Sequence, residues 1–165
     1  METTAIILSV LSICVAGLAL GWNIYRDVIL KARVRVELSV ALMGSEIMET
    51  TRKIILSATN FGLGKIRLSI GRTKSTSILR RLRGSSFYGF VIHDYKNPFS
   101  GQLPTTLEVG EKVDLVFAFD KDAFLKADWT HVGFRDTFGR DHWAPRRAVR
   151  KARADWKEEF GDSDA

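Results

Sequence analysis

Residues 5–25 read AIILSVLSICVAGLALGWNIY, and no charged side chain interrupts them. Wound as a helix at 1.5 Å per residue, the run reaches about 30 Å, the thickness of a hydrocarbon core. A core helix of a soluble domain keeps a polar stripe; here the polar side chains before Trp22 are Ser9, Ser12 and Cys14 alone. Serine hydroxyls bond back to the preceding turn, so lipid tolerates them. Trp22 and Tyr25 close the run where amphipathic rings favour headgroups, and Arg26 follows, long enough to snorkel into water. The run therefore predicts a single membrane-spanning helix, with the juxtamembrane segment ending near residue 32. A cleaved secretory signal is the competing reading. It needs a basic leader, whereas Glu2 is the one charge upstream, and no A-x-A site follows.

Charge sets the orientation. All 25 Lys and Arg lie after Tyr25, and Arg26, Lys31, Arg33 and Arg35 crowd the flank. The positive-inside bias puts that flank in the cytoplasm and predicts a single-pass protein of the inner (cytoplasmic) membrane. Gly17 and Gly21 form a G-x-x-x-G pair, the spacing that lets two helices approach, so a homodimer through the anchor is a candidate assembly.

About 140 residues remain beyond the span, enough for one domain with its own core. The formal net charge is +6 and the pI about 9.7, carried by this remainder, which suits an anionic surface. The single cysteine, Cys14, sits in the anchor, so the remainder has no internal disulfide.

Beyond residue 32 the apolar period falls to two. Val34, Val36, Leu38, Val40 and Leu42 alternate with Arg35, Glu37, Ser39 and Ala41, the signature of a strand with one buried face. Residues 43–52 read as a loop and 53–60 (KIILSATN) as a second strand. In residues 60–65 (NFGLGK) Asn60 closes an Asx turn, Gly62 and Gly64 supply positive φ, and a hairpin to a third strand from Ile66 to Ile70 is expected. Residues 71–84 read as a basic loop, 85–93 as a strand, 96–104 as a loop and 105–109 as an edge strand. Gly110 and Glu111 turn into a strand with Val113, Leu115, Phe117 and Phe119 on one face. Asp120 is expected to cap a helical turn within 120–127, and residues 128–136 form a strand with Val132 and Phe134 inward. Gly139 turns it into a return strand at 141–144. Short strands between turn signals predict an antiparallel β-sandwich of the immunoglobulin-like class over residues 33–144.

Residues 145–165 predict a basic amphipathic helix and an acidic tail. Pro145 suits a helix start, and Val149, Ala152, Trp156 and Phe160 share a narrow stripe among Arg146, Arg147, Arg150, Lys151, Arg153 and Lys157. Two placements follow: the stripe packs on the sandwich, or it lies on the membrane. On the second, Arg146, Arg147, Arg150 and Trp156 join Trp22, Tyr25 and Arg26 at the bilayer surface.

The richest chemical cluster is residues 130–143, THVGFRDTFGRDHW. His131, Asp136, Asp141 and His142 are candidate metal ligands or an acid/base set of a membrane-attached hydrolase. The alternation counts against it, because His131 faces opposite to Val132 and Phe134 and is expected in solvent. Hairpin chemistry is the plainer reading, with Asp136 and Thr137 accepting turn bonds and Trp143 anchoring the core. Residues 62–65 (GLGK) lack the spacing of a phosphate loop. Arg80, Arg81 and Arg83, followed by Phe87 and Tyr88, fit a solvated loop before a strand better than a nucleic-acid surface. No catalytic, cofactor-binding or metal residue is assigned.

The span, followed by N-F-G-x-G at 60–64, L-E-V-G-E-K at 107–112 and F-L-K-x-D-x-T-H-V-G-F-R-D-T-F-G-R-D-H-W-A-P-R-R at 124–147, resembles a group of small bacterial single-pass membrane-anchored proteins. The resemblance implies an immunoglobulin-like sandwich at a membrane and no reaction. The functional expectation is a non-catalytic binding or scaffold module with a protein partner. A structural membrane-surface component of an envelope or defence assembly is the alternative. The loops at 43–52, 71–84 and 96–104 are its expected recognition surface.

Overall fold

A computed structural model describes residues 2–29, 32–45, 48–75, 87–90 and 97–161. Helix α1 (Glu2–Ile29) holds the apolar run. The window Ile6–Tyr25 is long and apolar enough to cross a membrane, and none of it is buried within the chain. Ser12 Oγ donates to the Leu8 carbonyl at 2.9 Å, the back-bond that keeps a hydroxyl satisfied inside a helix.

The rest is mainly β, in two antiparallel sheets. Strands β1 (Val34–Ser45), β2 (Met48–Asn60) and β6 (Lys112–Ala118) form one, in the order β1-β2-β6. The other runs β4 (Phe87–Phe90), β3 (Ile66–Ser75), β7 (His131–Asp136) and β8 (Asp141–Trp143), and β5 (Thr105–Leu107) adds to β3. The period-two residues mostly do what alternation requires, although Leu42, expected inward, is 69% exposed. Val36, Leu38, Ile54, Leu56 and Leu115 from one sheet and Leu68, Val132 and Phe134 from the other share one buried cluster. Burying each such side chain contributes about 1.5–3 kcal/mol.

Several expectations change. Residues 43–45 and 48–52, expected in a loop, are strand, because pairing continues past the core through Leu42↔Arg52 and Met43↔Thr51 to Ser45↔Met48; residues 46 and 47 lie outside those described. The alternation outlasts the core by Leu42, and backbone pairing outlasts both. Likewise β3 runs on to Ser75, so the residues 71–75 expected in a basic loop are strand; residues 76–84 lie outside those described. Strands β2 and β3 are not a hairpin either. They belong to different sheets, and residues 61–65 cross between them. The crossing is held by Asn60, whose Nδ2 donates to the Gly64 and Leu107 carbonyls at 2.8 and 3.2 Å while its Oδ1 accepts the Gly62 N–H at 3.0 Å. The Asx turn forms as expected. Positive φ is taken up at Gly110 and Gly139 instead, and among the described residues Gly62 and Gly64 do not use it.

Asp120 does not cap the expected turn. It accepts the Asp122 N–H at 3.1 Å in an Asx turn ahead of a short 3-10 helix, Phe124–Lys126, which has no side-chain cap. Helix α2 (Arg146–Phe160) follows Pro145 and buries Val149, Ala152 and Trp156 in the shared core.

Strand register fixes the polarity of the β-domain. Arg33, just before β1, accepts the Phe61 N–H at 2.7 Å, and Val34 pairs with Asn60. The turn at 108–111 joins the same end, where Gly110 N–H donates to Asn60 and Asn60 N–H donates to Glu111. So does the β7–β8 turn, where Thr137 N–H donates to Arg67. The links 61–65, 108–111 and 137–140 are therefore gathered where the chain arrives from α1. Helix α2 lies toward the opposite end, with Trp156 on Asp120 and Arg52 on Glu159.

Candidate functional site

The His and Asp side chains of residues 130–143 are divided by the pleat. Phe134 pairs with His142 and Gly133 with Trp143, so Asp136 and His142 share the inner face of the sheet with Phe134. His131, Asp141 and Trp143 share the outer face. The two histidines do not converge, and among the described residues no three of His, Cys, Asp and Glu come together to hold a metal.

Asp136 works on its own hairpin. Its Oδ1 accepts the Arg140 N–H at 2.8 Å, its carbonyl accepts the Gly139 N–H at 3.1 Å, and its Oδ2 meets His142 Nε2 at 3.1 Å. Burial raises its pKa, but the Arg140 N–H, the His142 ring and the Phe138 N–H outweigh it and hold the carboxyl below its ordinary value.

His131 is half-buried rather than in solvent as expected. Its Nε2 accepts from Arg146 Nε at 2.9 Å and its Nδ1 lies 2.8 Å from Thr130 Oγ1. Accepting from an arginine requires the neutral ring, so Nδ1 carries the hydrogen toward Thr130. Burial, then Arg146, then Lys74 push its pKa down, in agreement. Trp143 does not anchor the core. Opposite Gly133 on the outer face, its ring packs on His131 with centroids 5.6 Å apart. Asp141 sits between Arg72 at 3.1 Å and Arg135 at 4.0 Å. Each group is spent on a fold contact.

The apolar stripe of α2 is consumed by the core. Trp156 is 7% exposed, its Nε1 donates to the Asp120 carbonyl at 2.7 Å, and Phe160 packs on Phe119 with centroids 5.6 Å apart. Of the two placements, the ring of Trp156 takes the one inside the domain. Arg146, Arg147 and Arg150 are exposed, on the helix that follows the end of β8 away from Arg33. In α1, the Trp22 and Tyr25 rings stack outside the chain with centroids 5.8 Å apart. The side chain of Arg26 lies outside the described residues, as do Arg80, Arg81 and Arg83. A Cβ on Gly17 or Gly21 would meet nothing, so the G-x-x-x-G face is open.

A cavity of about 390 Å³ lies beside Phe124 and Trp129. Its polar side chains, Thr73, Asp122 and Lys126, form no nucleophile–base constellation.

One cluster went unread in the sequence. At the end where the chain arrives from α1, Phe61 is 62% exposed, Leu63 57%, Val109 52% and Phe138 77%. Each stands directly before a glycine, in N-F-G-L-G, E-V-G-E and T-F-G-R. An apolar residue before a turn glycine, repeated in separate turns, was the available signal. No family model, curated protein or solved structure matches this chain.

Proposed function

We propose that this chain is a bacterial single-pass inner-membrane protein whose cytoplasmic domain, an immunoglobulin-like β-sandwich, is a non-catalytic module that holds a protein partner beside the membrane. One observation carries the reading. An apolar window of 20 residues lies wholly outside the folded core, so it needs a cover that the domain does not supply. The uncovered G-x-x-x-G face supports pairing of two such helices. The resemblance drawn from the turn motifs supports the sandwich class.

The partner-facing surface is the end away from the anchor. There α2 presents Arg147, Arg150 and Lys151 to solvent, and the β1–β2 hairpin reaches past the core. A basic, rigid face of this kind steers an acidic protein surface. Tethering raises the effective concentration of the pair without an active site. The test is in-cell photo-crosslinking of the full-length chain from positions 150 and 151, with membrane fractionation. A partner captured from the membrane fraction and lost on R147E/R150E is expected. A chain extracted from membranes by alkaline carbonate would overturn the anchor. A C-terminal reporter active only on the periplasmic side would overturn the orientation.

A further inference from the structure

The same anchor brings one end of the β-domain to the bilayer. Arg33 stands four residues after Ile29, the last residue of α1. A chain spans at most about 3.5 Å per residue, so Arg33 lies within about 14 Å of the helix end. The links 61–65, 108–111 and 137–140 share that end with Arg33 through the Phe61, Asn60 and Arg67 backbone bonds. They carry Phe61, Leu63, Val109 and Phe138, each more than half exposed.

We propose that these loop tips dock into the headgroup layer of the membrane that holds α1, seating the domain end-on against anionic lipid. The inference rests on α1 being a membrane span. These large apolar side chains on separate turn tips leave more than half of their surface uncovered by the domain, and a lone exposed aromatic is ordinary whereas a cluster at one end is not. Their surroundings fit an anionic leaflet. Arg33, Lys65, Arg67 and Arg140 are exposed at this end, against Glu108 and Glu111 in the middle turn. Glu111 bonds back to its own loop, accepting the Glu108 N–H at 2.8 Å. Arg140 lies over the Phe138 ring, 5.9 Å from its centroid, so a ring at headgroup depth carries its cation with it. Basic residues near such a surface add to apolar insertion.

The geometry separates this face from the basic helix. Arg146 bonds His131 at the far end of β7 from Asp136, and the remainder of α2 continues toward Asp120 and Arg52. With the loop tips on lipid, α2 faces away from it.

The full-length chain decides the matter. In a Cys14→Ser background, single cysteines replace Leu20, Val109 or Arg150 and carry an environment-sensitive fluorophore. The protein is reconstituted in vesicles of phosphatidylcholine and phosphatidylglycerol, with spin-labelled lipid as quencher. Quenching is expected at Leu20 and Val109 and not at Arg150. Leu63→Asp with Phe138→Asp should abolish the Val109 quenching and leave that at Leu20. Vesicles of phosphatidylcholine alone should weaken it. Quenching at Leu20 with none at Val109 overturns the docking and leaves the anchor intact. Quenching at Arg150 in place of Val109 puts the basic helix on the membrane and overturns it too. An unquenched Leu20 overturns the anchor, and the docking with it.

Discussion

The two ends of the β-domain use similar side chains to opposite purposes. At the far end Trp156, Phe160 and Phe119 pack together, and α2 closes the space between the sheets. At the near end Phe61, Leu63, Val109 and Phe138 remain outside, although the loops beneath them are tightly bonded through Asn60 and Asp136. Apolar character is therefore not what distinguishes core from surface here. What distinguishes them is whether the chain supplies a covering element. Helix α2 is that element at one end; at the other the chain supplies none among the described residues.

The contrast is sharpest in stability. Trp156→Ala removes a ring only 7% exposed and its bond to Asp120, and a loss of about 3–5 kcal/mol is expected. Urea titration of the full-length chain in detergent, followed by the remaining tryptophans, would show it. A loss below the range for buried aromatics would mean that α2 is dispensable to the core.

Asp136→Asn comes next. The amide keeps the shape but not the charge that accepts from Arg140 and faces His142, and about 2 kcal/mol is expected to be lost. The pH dependence has a definite sign. The folded carboxyl titrates below its unfolded value, so its contribution is complete above that value and lost as pH falls through the folded one. The wild-type chain should therefore lose stability below about pH 4, and the variant should lose less over that range. His131, also lowered, acts in the same direction from about pH 6.5 downward, because the unfolded ring takes up a proton that the folded ring resists.

Gly139→Ala is smaller. Gly139 sits at φ +79, and a Cβ there is strained by about 1–2 kcal/mol. Because the β7–β8 turn carries Phe138, the same substitution should perturb the near end locally. Thermal unfolding measures the first effect, and amide exchange at Arg140 the second.

Much of this architecture was legible from period and punctuation. The alternation in residues 34–42 located a strand, and Pro145 marked the start of α2. The extension of β1 and β2 beyond the core was not legible, since paired but exposed strands carry no alternation. Nor was the sheet crossing after Asn60, because a short Gly-rich link reads the same whether the next strand pairs with the last or joins another sheet. The histidine cluster was legible in part. Parity alone separated His131 from Asp136, while the duties of each side chain needed partners distant in sequence, such as Arg72 and Arg146. The near-end tips were missed because each turn was read for its backbone chemistry, through Asn60, Gly62, Gly64 and Gly139, while Val109 was credited to a strand end.

The smallest expected effect is the most telling. Phe138→Ser removes an aromatic ring the size of Phe134 in the core, yet the ring is 77% exposed. Its removal leaves no cavity, and the turn it occupies is held by Asp136 and Gly139 rather than by the ring. Stability in detergent should change by no more than about 0.5 kcal/mol, the range of a surface substitution. The far-end ring of Trp156 should cost several times that. Aromatic burial stabilises this chain only where another part of the chain does the burying. If Phe138→Ser in detergent instead cost as much as a core deletion, the near-end rings would be packing on the domain, the difference between the ends would vanish, and nothing would be left exposed there to meet lipid.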